Sequence, residues 1–242
     1  MKKLLTLTFT LCALGLHGAF AQAVSYSITG TNSSAGPLAP SFANLNLTAS
    51  DLTLGPGLVV PSGSGNAQNS FGGSGWDDGS SASTAAAAGN YISFTLTVNS
   101  GYTASFTSFD AYNVRHSGTG PTEGQWQFSL NGTSYTSIGS SFNLGSGTSS
   151  SGNAMPEIDL SGITALQNIA GGTTVTFRFL AWGASAVGGT GYLNGQGTDG
   201  GAFTVQGTTT PAAIPEPGTL ALLGLGMGFG LWSVRRRFQR AA

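Results

Sequence analysis

Residues 92–98 alternate without a break: Ile92, Phe94, Leu96 and Val98 are apolar, and Ser93, Thr95 and Thr97 between them are polar. A period of two belongs to a strand, whose successive side chains point to opposite faces; on a helix the same residues would scatter around the circumference. The segment therefore predicts a strand with one buried and one solvated face, the pattern of an antiparallel sheet. It recurs at Trp126, Phe128 and Leu130 against Gln125, Gln127 and Ser129. Asn131-Gly132 then supplies a hairpin turn, with a return strand over 134–142. Val175, Phe177, Phe179 and Ala181 mark a third clear strand, and weaker ones fall at 24–28, 45–54, 102–112 and 202–206. Ile163, Leu166 and Ile169 fit one or two helical turns. Many short strands joined by Gly, Ser and Asn turns predict an all-β, sandwich or jelly-roll-like ectodomain over residues 24–210.

The surface of such a domain is unusual. Of 242 residues, 39 are Gly and 58 are Ser or Thr, and only 7% are charged. Charge is also unevenly placed: Lys2 and Lys3 open the chain and Arg235, Arg236, Arg237 and Arg240 close it. Between Val24 and Ile214, Arg115 and Arg178 face eight acids, a net charge of −6. That balance repels polyanions at long range and excludes a nucleic-acid binder that works by counterion release. Residues 55–89 and 145–153 are poor in apolar side chains and read as long exposed loops, and 208–213 as a short stalk.

Both ends carry address-like features. Met1-Lys2-Lys3, an apolar run from Leu4 to Leu16, and Ala19-Phe20-Ala21 or Ala21-Gln22-Ala23 form the charged, apolar and small-x-small parts of a secretory signal peptide, taken as residues 1–23. Cleavage there removes Cys12, the single cysteine. The mature chain then has no disulfide and is stabilised by packing. At the other end, Gly218 to Val234 is an apolar run of 17 residues, about 25 Å as a helix, which reaches the short limit of a transmembrane span. Three adjacent arginines after it place the C-terminus in the cytosol and the ectodomain outside. Gly224 and Gly228, like Gly226 and Gly230, have a spacing that permits close helix contact.

The order Pro215-Glu216-Pro217, short Gly-rich apolar helix, Arg cluster resembles the PEP-CTERM sorting signal of Gram-negative bacteria that make extracellular polymer; the resemblance covers about residues 213–242, and the sorting-signal segment is taken as 211–242. It implies that the chain is a substrate of exosortase, a membrane-embedded cysteine protease-transpeptidase, and passes from the inner membrane to the cell surface or exopolysaccharide matrix. Pro215, Glu216 and Pro217 would then be read by another protein's active site. Arg115-His116-Ser117-Gly118-Thr119-Gly120-Pro121 is similar to a turn of PEP-CTERM ectodomains, and Arg115 is expected to tie that loop to a carboxylate or carbonyl.

The search for chemistry in the ectodomain returns little. It has one histidine, His116, and no G-x-S-x-G, so no catalytic residue and no enzyme is expected. Glu157 and Asp159 share a face if extended, with Glu123 elsewhere, which leaves a glycosidase pair as a minor alternative. Asp77, Asp78 and Asp199, in Gly-rich loops, are weak calcium candidates or solvated turn residues; no other cofactor is indicated. Trp76 and Tyr192, also in Gly-rich loops, are candidates to stack on sugar rings. The expectation is a structural or adhesive matrix protein, with a carbohydrate-binding module as alternative and extracellular polysaccharide as a candidate partner.

Overall fold

A computed structural model describes residues 21–32, 36–60, 67–76, 80–147, 150, 152–195 and 201–213. By its contacts the chain divides into two units, Met1–Thr210 and Pro211–Ala242. The described part of the first is almost entirely antiparallel β-structure. In chain order the strands begin with β1 (Ala21–Ser27), β2 (Phe42–Ala43), β3 (Leu47–Ala49), β4 (Thr53–Leu54) and β5 (Ser70–Ser74). One helix, α1 (Ala82–Ala88), precedes β6 (Tyr91–Val98), β7 (Tyr102–Phe109), β8 (Tyr112–His116), β9 (Glu123–Ser129) and β10 (Thr136–Asn143). Short pieces follow, β11 (Asn153–Met155), β12 (Ile158–Asp159) and β13 (Ile169–Ala170), and then β14 (Thr174–Trp182), β15 (Thr190–Asn194) and β16 (Ala202–Pro211).

These strands form three sheets. One runs β12-β7-β16-β1-β2 with β13 beside β7, a second runs β10-β9-β14-β6-β3 with β4 beside β6, and a third runs β11-β8-β15-β5. The alternation read in the sequence fixes which face each strand buries. Ile92, Phe94, Leu96 and Val98 are buried, as are Trp126, Phe128, Val175, Phe177 and Phe179. From the other six-stranded sheet, Tyr26, Phe106, Phe109 and Phe203 meet them. Phe94 packs edge-on against Tyr26 and Phe203, Phe177 against Phe106 and Phe109, and the Trp126 indole stacks on Phe203 at 5.0 Å and 7°. The four-stranded sheet adds Tyr112, whose hydroxyl accepts the Trp126 Nε1–H at 2.9 Å.

Several local expectations are corrected. The Asn131-Gly132 turn does join an antiparallel pair, but the return strand starts at Thr136, so the connection spans six residues. Asn131 Oδ1 accepts the N–H groups of Thr133 and Ser134, and this side-chain turn holds the chain out of the ladder. Residues 55–89 are not one long loop: they contain β5 and α1. The Ser81 and Thr84 hydroxyls cap the first turn of α1 reciprocally and Gly89 closes it in the left-handed region, which gives an alanine run a defined start and stop. In β5, Gly72 lies so close to β15 that a Cβ would collide with the Gly191 carbonyl. The helical turns expected over 160–169 reduce to one 3₁₀ turn, Thr164–Leu166. Among the described residues no helix is long and apolar enough to cross a membrane; the span expected at 218–234 lies outside them.

Burial also sets an alkaline limit. It pushes the Tyr112 phenol well above its ordinary value, and at Tyr26 burial and the Asp51 carboxylate act the same way. Both rings are folded as neutral phenols. Their contribution to stability is complete below the unfolded phenol pKa of about 10 and is lost as pH rises above it. In a spectrophotometric titration the Tyr26 and Tyr112 phenolates are expected only together with loss of near-ultraviolet dichroism. Their appearance in a still-folded protein would contradict the burial.

Candidate functional site

The loop after β8 is a clasp. The Ser117 N–H donates to the Thr190 carbonyl, the Ser117 Oγ accepts the Thr190 N–H, and the Thr119 carbonyl accepts the Ser185 N–H. A Cβ at Gly120 would strike the Thr190 carbonyl, so the approach requires glycine there. His116 is buried, with Nδ1 on the Ser117 carbonyl and Nε2 on the Gly145 carbonyl. The Arg115 guanidinium lies 5.8 Å from the centre of the Tyr192 ring, an aromatic partner in place of the expected carboxylate or carbonyl. These residues close the third sheet.

That clasp relocates both aromatic candidates. Trp76 is 1% exposed, with its Nε1–H donated to the Gly73 carbonyl, and Tyr192 is 4% exposed. Neither face is open to a sugar ring, which corrects the expectation of exposed stacking residues. The cause is close glycine packing: a Cβ on Gly191 would meet Pro121 and the Trp76 indole. Asp77, Asp78 and Asp199 lie outside the described residues, as do Pro215, Glu216, Pro217 and Arg235, Arg236, Arg237 and Arg240. Among the described residues no group of three His, Cys, Asp or Glu side chains is placed to hold a metal ion.

Two grooves remain. The first, about 530 Å³, is lined by Asp110, Glu157 and Asp159 with Thr107, Ser108 and Gln206. Pairing of β12 with β7 sets Asp159 opposite Ser108 and so brings the three acids together; Glu123 is on another sheet, where it accepts from Asn143. Asp110 accepts the Gln206 amide at 2.7 Å, and hydrogen bonds from Ser161, hydroxyl and backbone N–H, hold the Asp159 carboxyl below the usual range. A glycosidase acid needs the opposite shift.

The second groove, about 580 Å³, lies on the outer face of the sheet that contains β9, β10 and β14. Strand register lines up Ser93, Arg178, Gln127 and Ser137 across four strands. Helix α1 covers part of this face, seated by Ala85 on Leu180 and Trp182, and Ser81 and Ser83 wall one side of the groove. Arg178 is held firmly: Nε and Nη2 donate to Gln127 Oε1 at 3.0 and 2.7 Å, the guanidinium carbon sits 3.5 Å from the Tyr135 ring centre, and Tyr91 lies at 5.5 Å. Partial burial lowers its pKa from the ordinary arginine value. Arg178 was legible as an outward position of the third strand, but its partners come from register and from the loop before β10.

Comparison with known families matches residues 213–237 to the PEP-CTERM protein-sorting motif. The chain carries a PEP-CTERM sorting motif. The match contains Pro215, Glu216, Pro217 and the Arg235 to Arg237 cluster. It implies export, a cell-surface or extracellular destination, and processing by exosortase, a membrane protein. No curated protein matches the chain.

Proposed function

We propose that this protein is a non-catalytic, structural or adhesive component of an exopolysaccharide matrix, held in the inner membrane by its C-terminal helix until exosortase removes the tail. The observation that carries the reading is the sorting motif at 213–237. The ectodomain suits the destination. A sandwich with an aromatic core, uncharged hydroxyl-rich faces and no need of a disulfide is stable outside the cell without depending on redox conditions. In the acidic groove Asp159 is biased toward its ionised form, the opposite of what a glycosidase general acid needs.

The register of β1 supports one of the two N-terminal cuts that the sequence offers. Ala21 pairs with Gly207 and Gln22 with Gln206, and Ala23 is 2% exposed. A cut after Ala23 would remove all three residues from β1, whereas a cut after Ala21 keeps Gln22 and Ala23. This favours the first of the two small-x-small patterns, Ala19-Phe20-Ala21, and a signal peptide of residues 1–21 in place of 1–23. Intact mass spectrometry of the protein from the native host tests both ends. The matrix form is expected to begin at Gln22 and end near Ile214. A matrix form that retains Arg235 to Arg240 would overturn the sorting reading, and one beginning at Val24 would overturn the assigned cut.

A further inference from the structure

We infer that the groove around Arg178 binds a carboxylate-bearing saccharide, with the guanidinium as its anchor. The inference rests on the matrix reading above and gives the partner a chemical class. Arg178 is one of two arginines in the ectodomain. Of its five N–H groups, two go to Gln127; among the described residues no carboxylate pairs with it, and the other three donors have no hydrogen-bond partner. A cation that is partly removed from water and has no counter-charge is an unusual arrangement, because desolvation is normally compensated by pairing. Here the fixed partners are a π face and an amide oxygen, which hold the guanidinium plane in place without neutralising it. A preorganised planar fork with free donors matches the two oxygens of a carboxylate.

The rest of the groove matches sugar hydroxyls. Gln125, Ser83 and Thr133 add amide and hydroxyl groups to the lining, the Ser137 hydroxyl accepts from Gln127 Nε2 and keeps its own proton to donate, and a volume near 580 Å³ lies within the range of small-molecule sites. The ectodomain's net negative charge does not cancel the attraction. The acid on the same face of β9 is Glu123, four residues from Gln127 and so about 13 Å away, beyond a Debye length of about 8 Å at physiological salt. The local arginine decides.

The test uses the exported protein purified from its host. Its binding to polygalacturonate is compared with binding to the fully methyl-esterified polymer, which keeps the sugar backbone and loses the charge. Wild type is expected to bind the acid form at least about tenfold more tightly. Arg178→Gln is expected to abolish that difference, Arg178→Lys to restore part of it, and Arg115→Gln to leave it unchanged. Equal binding of the two polymers by wild type, or a preference that survives Arg178→Gln, would overturn the inference. The polymer comparison on wild type does not depend on how well any variant folds. A protein found in the matrix with its tail removed but indifferent to methyl-esterification would refute this site and leave the sorting reading standing. A protein that prefers the acid polymer yet never leaves the membrane would do the reverse.

Discussion

Replacing Trp126 with alanine is expected to unfold the ectodomain. The indole is fully buried and touches four aromatic rings, with centroids at 5.0 Å for Phe203, 4.7 Å for Phe109, 5.3 Å for Phe179 and 6.1 Å for Tyr112. Phe109 and Phe203 belong to the opposite six-stranded sheet, and Tyr112 to the third, so one side chain joins all three sheets. Removing a buried Trp costs about 3–5 kcal/mol through lost burial and an incompletely filled cavity. Losing the Nε1 donor also strands the Tyr112 hydroxyl, at about 1–3 kcal/mol. Set against a domain stability of about 5–15 kcal/mol, a combined loss of about 4–8 kcal/mol removes most or all of it toward the lower end of that range, where this long domain without a disulfide is placed. Trp126→Phe keeps a ring in the stack and gives up mainly the donor, so about 1–3 kcal/mol is expected. Urea midpoints read from near-ultraviolet dichroism measure both. A Trp126→Ala protein within about 1 kcal/mol of wild type would mean that the sheets are not locked together at this indole.

Trp126 and Trp76 show what the sequence reveals and what it hides. Trp126 sits between Gln125 and Gln127 in an unbroken alternation, so its burial follows from strand period alone. Trp76 sits in Gly75-Trp76-Asp77 with no periodic neighbours, and composition marks it as exposed. It is buried because glycines in β5 and β15 let two backbones approach and close over the ring, a tertiary effect with no local signature. Helix α1 was missed for a related reason: Ser81, Ser83 and Thr84 add to a polar loop composition, yet Ser81 and Thr84 cap the helix. The Arg178 groove divides the same way. Alternation places Arg178 and Gln127 on outer faces, but only pairing of β14 with β9 makes them neighbours. The sorting motif was the most legible feature because its signal is the linear order of residues that the family match at 213–237 recognises.

That linearity leads to the second large effect. A Pro215→Ala/Pro217→Ala variant is expected to remain in the membrane at its full C-terminal length, with almost none in the matrix. Each proline fixes φ near −65° and biases the preceding residue toward extended backbone, so Pro215 and Pro217 disfavour continuation of a helix through them. Alanine is about 3 kcal/mol more favourable than proline in a helix interior. If the apolar run 218–234 is helical as proposed, replacing both prolines removes the barrier to extending that helix back toward the sorting motif, into hydrogen-bonded structure that a protease active site does not accommodate. Glu216→Gln separates backbone from side chain, since it leaves both prolines in place and removes only the charge. If the backbone argument is right, Glu216→Gln is still trimmed and released, while the double proline variant is not. Release of the double variant at the wild-type level would show that extension at 214–217 is not what the sorting enzyme requires. Retention of both variants would shift recognition to the three residues as a unit, with the Glu216 carboxylate bound directly.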